Sequence, residues 1–343
     1  SLGTVMPDCD SETDDISVLV SRLQQVLPGW TIDCVFDFGS NAKDEAVSHS
    51  DVDAWFLVHS DGKVLLDKSY NKYKRYGSTR DAFLRDHENL EVVEIDTWGV
   101  IVKELRPKRP VMVSCPISDT RWYLWQLASE TDWQTFLYTT FARAIYDPFS
   151  FIAKLQAFLW SHLPFHIHPD HGIVWTLTQL CEAEKHSLIR DLHHVQTQKT
   201  IELRQEKRPC WLRYAVECIR DAVSLLTLVQ GGRPLFRRAE VLRHIEVHFE
   251  NRMALAQKIY GYKCTQEGRT AFDRLLTERR SRDIDHIAEL TFGLIEFWHE
   301  IMLRMETTIA GGRSTLRFRD AGWREDNMRS YSEFLESYLR GMA

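Results

Sequence analysis

Two aspartates one residue apart, Asp51 and Asp53, follow shortly after a Gly39-Ser40 pair. Residues i and i+2 of a strand face the same way, so on a strand both carboxylates point together. Paired carboxylates suit a hard divalent cation, and a turn of small residues lets backbone N–H groups approach phosphate oxygens. That combination indicates nucleotide chemistry. Glu94 and Asp96 are spaced in the same way and share a face, while Glu91 falls on the opposite one. A third carboxylate on a neighbouring strand meets the needs of a two-metal transfer site. One metal orients the attacking hydroxyl, the other bridges the triphosphate oxygens, and the third carboxylate can serve as general base.

The flanking sequence reads as the elements such a site requires. Ile16, Val18, Leu19, Leu23 and Leu27 recur at helical spacing until Pro28-Gly29 stops them. A strand from Ile32 to Phe38 leads into the Gly-Ser turn, and a second runs from Val52 to Val58. Asp61-Gly62 predicts a hairpin with Lys63–Leu66. A helix is expected around Ser78–Arg85, a third strand over Leu90–Val102 and a fourth over Pro110–Pro116. From Ser118 onward the pattern is helical, with a boundary expected at Tyr146-Asp147-Pro148. Two apolar stripes mark core helices. One is Trp211, Ala215, Cys218, Ala222, Leu225 and Val229; the other is Ile287, Leu290, Leu294, Phe297, Trp298, Ile301 and Met305. Gly231-Gly232-Arg233-Pro234 breaks the helix that carries the first stripe.

The 343 residues are enough for two domains, and 44% hydrophobic with 27% charged residues is ordinary for a globular protein. No apolar run is long enough to span a membrane, and the first ten residues have neither the basic nor the apolar region of a signal peptide. Seven cysteines without a C-x-x-C pair fit reduced thiols, and the expected location is the cytoplasm. A net charge of −6 argues against a general nucleic-acid binder. Residues 1–150 carry 15 Lys+Arg against 24 Asp+Glu, so the acidity lies in the first half, where it suits metal ions and a cationic substrate.

Gly39-Ser-Asn-Ala-Lys-Asp-Glu-Ala-Val-Ser-His-Ser-Asp-Val-Asp53 resembles the signature of the DNA polymerase β-like nucleotidyltransferase superfamily. It is most similar to the minimal and antibiotic-modifying branch, with Gly-Ser, small residues at Ala42 and Ala46, and Ser50-Asp-x-Asp. Where the family has glycine after the basic residue, this chain has Asp44. Arg220–Arg238 is similar to the C-terminal helical domain of streptomycin/spectinomycin adenylyltransferases, in which a helix leads through a glycine turn to a basic residue that contacts the nucleotide. Arg237 and Arg238 fall at that place, and Tyr146-Asp-Pro148 looks like the family's interdomain linker.

The resemblance implies an α+β fold. A mixed β-sheet flanked by helices occupies residues 1–147, and an all-α bundle occupies 148–343, with the active site between them. It also implies Mg²⁺, a nucleoside triphosphate, most often ATP, and transfer of the nucleotidyl group to a hydroxyl. In that reading Asp51 and Asp53 hold metal, with Asp96 as third carboxylate and Glu94 as second choice. Gly39 and Ser40 cradle the phosphates and Lys43 reaches them. Glu217 and Asp221, four residues apart on one helix, face a small cationic acceptor such as an aminoglycoside. The expected state is monomer or homodimer. Two alternatives remain: transfer to protein or tRNA, for which the basic, tyrosine-rich Lys68–Tyr76 stretch would matter, and nucleotide binding without catalysis, for which Asp44 speaks. His162, His166, His168 and His171 cluster around two prolines without a cysteine, a weaker metal signal than the carboxylates.

Overall fold

The computed structural model describes residues 17, 20–21, 23–39, 42–43, 45, 52–67, 77–95, 113–114, 116–128, 138–162, 173–197, 211–313 and 323–341. The elements in chain order begin with β1 (Thr31–Asp37), β2 (Val52–His59), β3 (Lys63–Asp67), α1 (Gly77–Asp86), β4 (Glu91–Ile95), β5 (Val113–Ser114), β6 (Ile117–Asp119) and α2 (Thr120–Ala128). They continue with β7 (Arg143–Tyr146), α3 (Phe151–His162), α4 (Ile173–Thr197), α5 (Trp211–Val229), α6 (Arg238–His248), α7 (Met253–Cys264), α8 (Gln266–Glu278), α9 (Ser281–Ala310) and α10 (Trp323–Arg340). No helix among the described residues is long and apolar enough to cross a membrane. The architecture is mixed α and β, with a small mixed sheet and a helical C-terminal region.

The chain forms two compact units. The first draws on residues 1–42, 48–165 and 319–343, and the second on 43–47 and 166–318. The expected boundary at Tyr146-Asp147-Pro148 falls inside the first unit, where Asp147 has a local task. Its carboxylate accepts from the N–H groups of Phe151 (2.6 Å) and Ile152 (3.1 Å), satisfying the start of α3.

In the first unit the sheet order is β5-β2-β1-β7, with β6 also pairing β2. β1 is antiparallel to β2 and β7, and β2 is parallel to β5 and β6. Alternation sorts β2 into two faces. Ala54, Phe56 and Val58 join Val35 and the N-terminal apolar residues Val20, Leu23 and Leu27 in one core. Trp55 instead packs with Phe36 and Tyr123 (ring centroids 6.3 and 5.2 Å), and its Nε1–H donates to Ser118 Oγ at 3.0 Å.

The predicted hairpin does not extend. The turn forms, with Gly62 at φ +68°, but it leaves a single antiparallel bridge, Ser60 to Lys63. β3 then pairs in parallel with β4 in a ladder of its own. The Leu65 N–H donates to the Asp119 carboxylate at 3.1 Å, a partner that a local turn signal cannot reveal.

In the second unit α5 packs against α4, α7 and α9. Every residue of both apolar stripes is buried. Two tryptophans fix the helices to each other. Trp211 Nε1–H donates to Thr291 Oγ1 at 2.9 Å, and Trp298 Nε1–H to Glu182 Oε1 at 3.0 Å.

Candidate functional site

The Gly-Ser turn and the Asp-x-Asp strand meet at Gly39 and Asp53. The Phe38 N–H donates to the Asp53 carbonyl at 3.2 Å, and Asp37 pairs with Ala54, so the end of β1 is registered against the start of β2. A methyl group on Gly39 would lie 2.2 Å from Asp53 Oδ2 and 2.5 Å from its Cβ. Only a residue without Cβ lets the turn pass this carboxylate. Phe38 holds the same place from the side, packing on Trp55 (5.5 Å) two residues beyond Asp53 on the same strand face. Asp53 itself is half-buried.

Asp37 was not anticipated. It is buried, its Oδ1 accepts from the Gly39 N–H at 2.8 Å, and its Oδ2 lies 4.0 Å from Arg143 Nη2. Gly39 thus contributes its lack of a side chain, while its N–H is engaged within the protein. The spacing Asp37-x-Gly39 was visible in sequence, but nothing in it separated this acid from its neighbours.

Asp51, Ser40 and Asp96 lie outside the described residues, as do Lys68–Tyr76 and His166, His168 and His171. Glu94 is described. It forms an ion pair with Arg80 of α1, and its strand is hydrogen-bonded to β3, not to β2. Among the described residues no group of three or more His, Cys, Asp or Glu could hold a metal ion.

In the second unit, Lys43, Glu217 and Asp221 come together around a buried ionic cluster. The Arg238 N–H donates to the Lys43 carbonyl at 2.9 Å, fixing the residue after Ala42 at the start of α6. Arg220 Nε donates to Asp221 Oδ1 at 2.8 Å, and Arg220 Nη1 lies 3.8 Å from Glu45 Oε1. Burial disfavours the charge of Arg220, but Asp221, Glu45 and Glu217 outweigh that and hold the guanidinium ionised. Burial lowers the Lys43 amine to about 8, assisted by Arg220 and opposed by Glu45, Glu217 and Asp221. Burial also raises the Glu184 carboxyl, and the Asp221 carboxylate with which it shares a hydrogen bond raises it further. Glu217, less deeply buried, is paired with Arg213 at 2.9 Å. Glu45 Oε1, Glu184 Oε2, Arg220 Nη1 and the Tyr260 hydroxyl are buried with no hydrogen-bond partner among the described residues. Such atoms are costly and mark a polar interior, not a packed apolar one. Arg237 is exposed at the start of α6, where Glu240 Oε2 accepts from its N–H at 3.4 Å.

A second buried carboxylate centre also lay beyond the reach of pattern reading. Asp33 sits at an irregularity in the β1–β2 register. Its carboxylate receives His59 Nδ1 at 2.8 and 2.9 Å, the Thr120 hydroxyl, and the Tyr338 hydroxyl at 3.1 Å. An acidic residue inside an apolar strand run was the sequence signal, and the bulge is what re-aims it.

No protein-family model matches the chain, and no curated protein or solved structure matches it either.

Proposed function

We propose that the chain is a magnesium-dependent nucleotidyltransferase that moves a nucleoside monophosphate from a triphosphate such as ATP to a hydroxyl of a small cationic acceptor of the aminoglycoside kind. The observation that carries this reading is the close approach of Gly39 to the Asp53 carboxylate. A phosphate-binding turn needs a backbone without a side chain, and here that backbone borders the acid that would hold the metal. Asp51 and Asp53, two residues apart in the sequence, would hold Mg²⁺, whose preference for carboxylate oxygen they fit. When bound, the ion supplies charge stabilisation for the triphosphate oxygens.

The chain's own groups divide the remaining work. The Gly39 N–H is committed to Asp37, so backbone donors for phosphate come from Ser40 onward. Asp96 serves as third carboxylate in preference to Glu94, because Glu94 is neutralised by Arg80. Lys43, with its amine lowered to about 8, offers a cation that can also give up a proton near neutral pH. Asp221 is already matched by Arg220, so the carboxylate available to a cationic acceptor is Glu217, which would exchange its Arg213 partner. The test is incubation of the full chain with ATP, Mg²⁺ and panels of small and macromolecular hydroxyl acceptors. Pyrophosphate release with a small cationic acceptor supports the reading. Release with none of them, or transfer only to macromolecules, contradicts it.

A further inference from the structure

The first unit also holds a half-open cavity of about 230 Å³, lined by residues of α1, α2 and α10. Its apolar wall is built from Leu124, Trp125, Met328 and Tyr331. Its polar wall presents charges of both signs, Arg121 and Asp86.

The Arg121 side chain is only 11% exposed, yet little engages it. One N–H donates to the Lys63 carbonyl at 3.3 Å, and Asp119 Oδ1 lies 3.9 Å away. A guanidinium has five N–H donors, so most of them are uncommitted among the described residues. Asp86 accepts from Trp125 Nε1–H through Oδ2 at 3.0 Å, which leaves Oδ1 as an acceptor. The same hydrogen bond fixes the indole against the acid.

Size and chemistry together define the ligand. A dry cavity of about 150 Å³ accommodates benzene, so this one takes a ring together with a short polar head. A simple anion leaves Asp86 unmatched, a simple cation leaves most of the Arg121 N–H donors unused, and either ion alone leaves the apolar wall empty. We propose that this cavity binds a small zwitterion, an α-amino acid with an aromatic side chain. Its carboxylate meets Arg121, its ammonium meets Asp86, and its ring lies against Trp125, Met328 and Tyr331. This assignment is independent of the nucleotidyl transfer reading.

Titration calorimetry on the full chain tests it, with L-phenylalanine, L-tryptophan, and the matched amine (phenethylamine) and carboxylate (3-phenylpropanoate). The amino acids bind, and each fragment binds at least about tenfold more weakly because one wall is left unpaired. Arg121→Met and Asp86→Asn each weaken amino-acid binding by about tenfold or more. Ser332 is exposed and lines the same cavity. Ser332→Phe therefore obstructs it without altering either charge or the core, and abolishes binding. The proposal is overturned if neither amino acid binds the wild-type chain, if either fragment binds as tightly as the amino acid, or if Ser332→Phe binds undiminished.

Discussion

A methyl group at Gly39 has no room, because the position it would occupy is 2.2 Å from Asp53 Oδ2. Gly39→Ala must push the carboxylate or the turn aside. The expected outcome is a protein with unchanged far-ultraviolet circular dichroism and transfer activity lowered about a hundredfold, the scale on which ångström misplacements act. Full activity in that variant would show that the turn and the carboxylate do not work together. Asp119 supplies a second prediction, on stability. Burial lifts its carboxyl to about 6, against Arg121 and the N–H groups of Leu65, Arg121 and Trp122. The folded chain thus keeps this proton to higher pH than the unfolded chain, whose value is 3.8. Stability from this group is greatest below about pH 4 and declines as pH rises to about 6, by about 3 kcal/mol in all. Urea unfolding across that range should show the decline in the wild type and a flatter profile in Asp119→Asn. The same slope in both would assign it to another group.

Helices were the most legible elements, because periodicity states which face is buried. The stripes of α5 and α9 are buried at every position named, and Gly231, at φ +82°, ends the first of those helices. Strands β1 and β2 were legible too, since both read as short apolar runs bounded by turn residues. Pairing was not. The residues of β3 give no sign that Leu65 will donate to Asp119, or that β4 will be its parallel neighbour. The candidate site shows the same division. Gly39 and Asp53 were legible because local spacing sets their meeting. Arg220 and Arg213 were legible as partners of Asp221 and Glu217 from their closeness on one helix, but Glu45 and Glu184 were not, because a pattern gives a buried face but not the distant partner of a charge upon it. Asp147 illustrates how a local signal can serve a different end. Asp-Pro reads as a break in sequence, and the structure uses the aspartate to start α3. Asp147→Ala removes two acceptors from that helix end and should cost about 1 kcal/mol, measured by chemical denaturation. A change within error would mean that water replaces the carboxylate there.

At the scale of the molecule, the first unit is assembled from distant parts of the chain. Tyr338 of α10 donates to Asp33 of β1 across 305 residues, and the pair is buried. Tyr338→Phe deletes one donor to a buried carboxylate and should destabilise the protein by about 1–3 kcal/mol. Thermal unfolding unchanged by that substitution would show that His59 and Thr120 suffice. The second unit takes in Lys43–Val47, which lie between the two motifs in the sequence. In the proposed function Lys43 acts beside the ionic cluster at Arg220. The most direct test of that function is transfer of labelled nucleotide from ATP with Mg²⁺, compared between the wild type and Asp53→Asn. That substitution removes one charge while keeping the shape that packs on Gly39. The account predicts transfer by the wild type and none above background by Asp53→Asn, with both chains equally stable. Undiminished transfer by Asp53→Asn would contradict it.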